Sequence, residues 1–214
     1  MANTPAFWLF LHDSIRGTPI FLTFVQDMKN QVQINSLSSG LPRAVIEAAF
    51  IVMVMSAVCS YSPVYNWMFS HIPIVLGLVN TVGMVVMYFG ILRGMKGLPH
   101  PLTVLWWIAI GMNLLDFVIF CLGETAYDLS AVTATALPLV YLPLGCLLMI
   151  WYRGRLGKVG QWMIIRILVV NLVPVLFYVT GLFEFSWGLI IMELITISAD
   201  IWYAWVLRKV LVEP

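Results

Sequence analysis

The chain has 214 residues, 62% hydrophobic and 10% charged, with a formal net charge of +1 and a mean hydropathy of +0.97. A water-soluble domain carries about 25% charged residues, so the composition excludes a soluble globular fold. The near-neutral charge gives no footing to a nucleic-acid partner.

The N-terminal stretch MANTPAFWLFLHDSIRG does not read as a signal peptide. It lacks a basic start, its apolar core Phe7–Leu11 is too short, and no small-residue cleavage site follows. Further on, Phe21, Phe24, Val25, Met28 and Val32 recur at helical spacing, with Asp27 and Lys29 off the stripe. Gly17-Thr18-Pro19 separates the two apolar patches. This predicts an amphipathic interfacial segment on the cytoplasmic side, with the polar stretch Asn35–Gly40 as its link. The expected organisation is 1–40 for this segment and linker, and 41–214 for a membrane domain. As an alternative, the segment docks a partner subunit.

Six apolar runs follow, at 43–61, 72–92, 101–123, 130–152, 161–183 and 186–207. At about 1.5 Å of rise per residue, each can cross a ~30 Å hydrocarbon layer. Basic residues fall in every second gap. Arg16, Lys29 and Arg43 precede the first run, and Arg93 and Lys96 follow the second. Arg153, Arg155 and Lys158 follow the fourth run, and Arg208 and Lys209 the sixth. The gaps near 61–71, 124–129 and 184–186 hold none. This alternation predicts an all-α, six-helix transmembrane bundle with both ends in the cytoplasm. Trp8, Trp106, Trp107, Trp151, Trp162, Trp202 and Trp205 then map near the cytoplasmic boundary, and Trp67 and Trp187 near the other, as an anchoring belt.

Within the runs, Asn80, Asn113 and Asn171 each precede a glycine by ten residues. Two of these lie in corresponding runs of two three-helix halves, as in an inverted repeat, although so few identities in apolar sequence also arise by chance. Pro138 and Pro143 interrupt the fourth run and Pro174 the fifth, each exposing a carbonyl. Cys59, Cys121 and Cys146 form no C-x-x-C pair and are expected to be free thiols, although a Cys59–Cys121 bridge is conceivable.

Ionisable side chains inside a span are expensive, and they usually face partners or a functional path. Counted from the cytoplasmic ends of these runs, Glu47, Arg166 and Asp200 lie about 6, 9 and 10 Å deep. One cation between two anions suggests a charge cluster that fixes helix register or gates a path. Asp116 and Glu193 lie deeper, at about 22 and 21 Å. Asn113 and Thr196 are close by, and Asn171 sits lower on the fifth run. These five residues make a candidate intramembrane polar path; the alternative is a hydrogen-bonded packing network.

Catalytic signatures are missing. His12, His71 and His100 lie outside the runs, which disfavours a haem held within the bilayer. No H-E-x-x-H, G-x-S-x-G, Walker loop or dinucleotide fingerprint occurs. No catalytic residue, cofactor or metal site is therefore expected, and an intramembrane enzyme acting on a lipid or quinone is the least favoured of three readings. The leading expectation is transport or permeation of a small solute or ion, with proton linkage as one form of it, in a bacterial inner membrane. The alternative is an accessory subunit of a larger membrane complex. Partners are then the lipid bilayer and either other subunits or further copies of the chain.

Overall fold

The computed structural model describes residues 41–94, 100–122, 127–152 and 154–212, which belong to one compact unit, Ser36–Pro214. The expected interfacial segment over 1–40 lies outside the described residues. Those described form seven α-helices: α1 (Arg43–Cys59), α2 (Ser62–His71), α3 (Pro73–Gly94), α4 (His100–Leu122), α5 (Tyr127–Trp151), α6 (Arg155–Val179) and α7 (Ser186–Val212). A single 3-10 turn, Leu182–Glu184, joins the last two.

Local chemistry explains the breaks. Pro63, Pro73 and Pro101 sit in the first turn of α2, α3 and α4, where a missing N–H costs nothing and the fixed φ is already helical. Gly181, at φ 72°, adopts the left-handed conformation that stops the chain after α6 and that residues with a Cβ avoid.

Helices α3, α4, α6 and α7 are long and apolar enough to cross a membrane. The α1–α2 pair passes the same test jointly but bends by 102° between its halves, and among the residues described with their side chains α5 contributes the apolar stretch Ala136–Trp151. The helical gap at 61–71 is the main departure from the six expected runs. Its residues form α2 instead of a loop, with Tyr65 stacked on Phe69 and Trp67 on His71 at i,i+4 spacing. No residue of α2 is buried.

The six longer helices close a ring. Each of α3, α4, α5 and α6 packs between its chain neighbours, and α1 and α7 complete the circle against each other. Two interfaces depend on glycine. A Cβ on Gly160 of α6 would sit 2.5 Å from the Gly145 carbonyl oxygen of α5, and one on Gly83 of α3 would sit 2.9 Å from the Ala49 oxygen of α1. Small residues at such crossings let backbones touch, which supplies packing where lipid supplies no hydrophobic drive. The outer surface is apolar, with Ile51, Leu139, Ile150, Leu176 and Val179 all more than half exposed. Such a face suits hydrocarbon.

The core concentrates toward the end of the ring that carries Arg43 and Arg208. Tyr88 (α3), Trp106 (α4) and Tyr203 (α7) are fully buried there. Tyr88 bonds the Tyr203 hydroxyl at 3.0 Å, and Trp106 Nε1 donates to the Tyr88 carbonyl at 3.0 Å. The Tyr88 ring also meets Trp106 and Tyr141 edge-on. Trp106, expected in the belt, is thus a core residue, because its indole N–H finds a backbone acceptor inside the ring. Trp107, next in sequence, is half exposed.

Candidate functional site

Above this aromatic floor lies a cavity of about 220 Å³ that every helix of the ring lines. α1 contributes Met53, Ser56, Ala57 and, at its C-cap, Ser60; α3 contributes Asn80 and Met84. Asn113 and Asp116 come from α4, Leu137 and Tyr141 from α5, Arg166 from α6 and Asp200 from α7. The lining is predominantly polar, which is uncommon in a structure whose outer face is hydrocarbon-like. Taking about 30 Å³ as one water's share of liquid volume, the space equals about seven waters.

The polar groups are held by defined bonds. Ser56 Oγ donates to Asn80 Oδ1 at 3.0 Å, tying α1 to α3. Asn113 Nδ2 donates to the Ala109 carbonyl, one turn back, at 2.6 Å and also to the Tyr141 hydroxyl. Arg166 donates through Nε to Asp200 Oδ1, and its guanidinium carbon lies 5.6 Å from the Tyr203 ring centre. The cavity thus rests on the aromatic floor and extends to Ser60, where α1 ends.

The structure regroups the residues singled out from the sequence. Of the expected polar path, Asn113 and Asp116 line the cavity, whereas Glu193, Thr196 and Asn171 are not among its lining residues. Glu193 is buried and accepts from both Oγ and N–H of Ser62. It therefore holds the first turn of α2, where a carboxylate also meets the positive end of the helix dipole. Thr196 Oγ1 donates to the Glu193 carbonyl at 2.9 Å. Asn171 is exposed on α6 and donates to its own Ile167 carbonyl at 2.7 Å.

The expected trio of Glu47, Arg166 and Asp200 divides in two. Arg166 and Asp200 pair in the cavity, while Glu47 takes Arg208 through two bonds of 2.6 and 2.7 Å, with Arg43 at 3.7 Å. Helix length is the reason. α6 begins at Arg155 instead of 161, and α7 runs to Val212 instead of 207. From those ends Arg166 and Asp200 lie about 16 and 18 Å along their helices, against about 6 Å for Glu47 and Arg208. Basic residues near a helix C-terminus favour its dipole, so Arg208 and Lys209 do not end α7.

Several site residues gave little sequence signal. Ser56 and Ser60, spaced i,i+4, occupy one face of α1, and Asn80 stood out only through its glycine spacing. Tyr141 was hidden among apolar neighbours. The three cysteines are free thiols. Among the described residues no group of three or more His, Cys, Asp and Glu is placed to hold a metal ion.

No protein-family model matches the chain, and neither a curated protein nor a solved structure does.

Proposed function

We propose that the chain is a six-span protein of a bacterial inner membrane, with both ends cytoplasmic, that takes a small polar solute or ion into its ring cavity and passes it across. The observation that carries this reading is the cavity itself: a polar space that all six ring helices line, inside a bundle with an apolar exterior. Intramembrane ionisable residues that face a cavity mark solute or ion pathways. The basic-residue alternation supplies the orientation. Under it the aromatic floor lies on the cytoplasmic side and Ser60 toward the outside, so the cavity is filled from outside. Passage then requires the Tyr88–Tyr203 contact to part. In a proton-linked cycle Asp116 is the group that takes up the proton.

Cysteine accessibility tests this reading. In a chain with Cys59, Cys121 and Cys146 replaced by Ser, a cysteine at Ser60 or Asn113 should react with a membrane-impermeant maleimide added outside intact cells. Labelling only after cytoplasmic access, or none in folded protein, would end the proposal.

One observation favours the subunit alternative. Asn171 is a polar side chain exposed well inside α6, between the exposed apolar Val170 and Leu172. Such residues often hydrogen-bond to a neighbouring helix. Cysteine cross-linking from position 171 in native membranes would reveal a second helix there; a monomeric, cross-link-free chain would remove this reading.

A further inference from the structure

We propose that the outer groove between α6 and α7, at the ring end that carries Arg208, is a site for one anionic phospholipid. Its phosphate meets Lys158 and the indole N–H groups of Trp162, Trp202 and Trp205.

The first observation is placement. Lys158 and Trp162 are spaced i,i+4 on α6, and Trp202, Trp205 and Lys209 are spaced i, i+3, i+7 on α7. Each set shares one face of its helix. The two faces meet, because the Trp162 and Trp202 ring centres lie 5.5 Å apart. Trp205 lies 5.0 Å from Trp202, and Lys209 Nζ lies 5.1 Å from the Trp205 ring centre. The helices run antiparallel, and Arg166 of α6 pairs with Asp200 of α7. From that pair Lys158 is about 12 Å and Lys209 about 13.5 Å toward the helix ends, by helix rise. The two lysines therefore share a level, with the three indoles between them and the middle of the bundle.

The second observation is bonding. Trp202 and Trp205 are 46% and 38% exposed, and Trp162 is half-buried. No described residue accepts from any of the three indole N–H groups, and none pairs with the exposed Lys158 ammonium. An indole N–H that faces hydrocarbon stays unmet, whereas headgroup oxygens can accept from it. The described carboxylates of α6 and α7 are Glu193 and Asp200, held by Ser62 and Arg166. Glu47 of α1 is held by Arg208. None of them answers Lys158.

Charge and shape select the occupant. A zwitterionic headgroup would bring its own cation beside Lys158, and an anionic one would not. Farther along the groove, Ile195 lies on the face of Trp202 and is 38% exposed, which offers an acyl chain an apolar track. A free phosphate would leave that track empty. At the opposite end Trp67 stacks on His71 and Trp187 on Phe185, with no Lys or Arg in α2 or in the 182–184 turn. Aromatic anchoring without a cation is what that end provides.

The experiment is native mass spectrometry of the full chain released from detergent, titrated with phosphatidylglycerol, phosphatidylcholine or inorganic phosphate. One phosphatidylglycerol should bind about fivefold or more tighter than phosphatidylcholine, as one well-placed lysine implies. Lys158→Gln should remove about that factor and leave phosphatidylcholine binding unchanged, and Lys158→Arg should restore it. Trp202→Phe keeps a ring but loses the N–H, and should weaken phosphatidylglycerol about two- to tenfold. Arg93→Gln, a lost cation at the same end of the ring on α3, should change nothing. Variants are compared only as monodisperse protein by size exclusion. Equal binding of the two lipids overturns the proposal, as does an equal loss in Lys158→Gln and Arg93→Gln. Displacement of the lipid by inorganic phosphate at similar concentration also overturns it, because the groove then reads a free anion.

Discussion

The α5–α6 crossing offers a test in which one substitution has opposite signs at two sites. In Gly160→Ala, the new Cβ would stand 2.5 Å from the Gly145 oxygen, 2.7 Å from Leu148 Cβ and 3.1 Å from the Met149 nitrogen. Two of those atoms are backbone, so no side-chain rotation relieves the clash, and the helices must separate by about 1 Å to restore ordinary van der Waals distance. Overpacking of this kind costs about 1–3 kcal/mol, against which alanine's better helix propensity returns about 0.5–1. The expected net loss is about 0–2.5 kcal/mol, or a fall in Tm of up to roughly 10 °C at this chain length. Gly111→Ala in α4 is the control, because its Cβ would meet nothing within 4 Å. There only the propensity gain remains, and Tm should hold or rise slightly. The assay is thermal unfolding of purified protein in one detergent, followed by thiol reactivity or tryptophan fluorescence. Because Tyr141 lies one turn from Gly145, and Arg166 less than two turns from Gly160, Gly160→Ala should also weaken solute binding. Equal melting of the two variants, or a more stable Gly160→Ala, would refute the claim that backbone contact holds α5 to α6.

Tyr203→Phe leaves the buried Tyr88 hydroxyl without its 3.0 Å partner and should cost about 1–3 kcal/mol, whereas Tyr88→Phe with Tyr203→Phe should cost less than the two single changes summed. Additive losses in a thermal double-mutant cycle would show that the hydroxyls do not act as a pair. Ser62→Ala removes the Oγ bond to buried Glu193 and should free the start of α2, seen as faster labelling of a cysteine placed at Ser70. Unchanged labelling there would mean that the bend at residues 60–62 holds without this tether.

The long apolar helices were legible because apolar length is a property of sequence alone, and four of them are long and apolar enough to cross a membrane. Their ends were not. Arg155, Lys158 and Gln161 are polar, and a reading based on hydropathy stops the span there. The backbone has no reason to stop, since these residues are good helix formers. That six-residue difference set the depth of Arg166, and with it the choice of partner. Glu193 shows a second limit. Helix rise, counted from the expected span ends, set it at the level of Asp116. It could not reveal that the chain between the first two runs folds back as α2 and brings Ser62 to it. The cavity's Ser56, Ser60 and Tyr141 were invisible for a related reason: single hydroxyls in apolar helices become a site only when the ring closes around them.

The two arginine–carboxylate pairs of the bundle show how location divides one chemistry between two uses. Arg208 meets Glu47 with both Nε and Nη2, and Arg43 adds to the same carboxylate. That pair joins α7 to α1, where the ring closes, and lies near the helix ends. Arg166 meets Asp200 through Nε, farther along its helix, with its terminal edge turned to no described acceptor. A paired intramembrane arginine that served only to hold helices would gain from the two-pronged geometry seen at Arg208. The side-on pairing of Arg166 keeps the fork rigid and correctly aimed while leaving the Nη edge for something else. The contrast carries its own check. Arg208→Lys should lower stability and spare solute affinity, and Arg166→Lys should do the reverse. If both substitutions act on stability alone, both arginines hold helices and the cavity's charge has no ligand to meet.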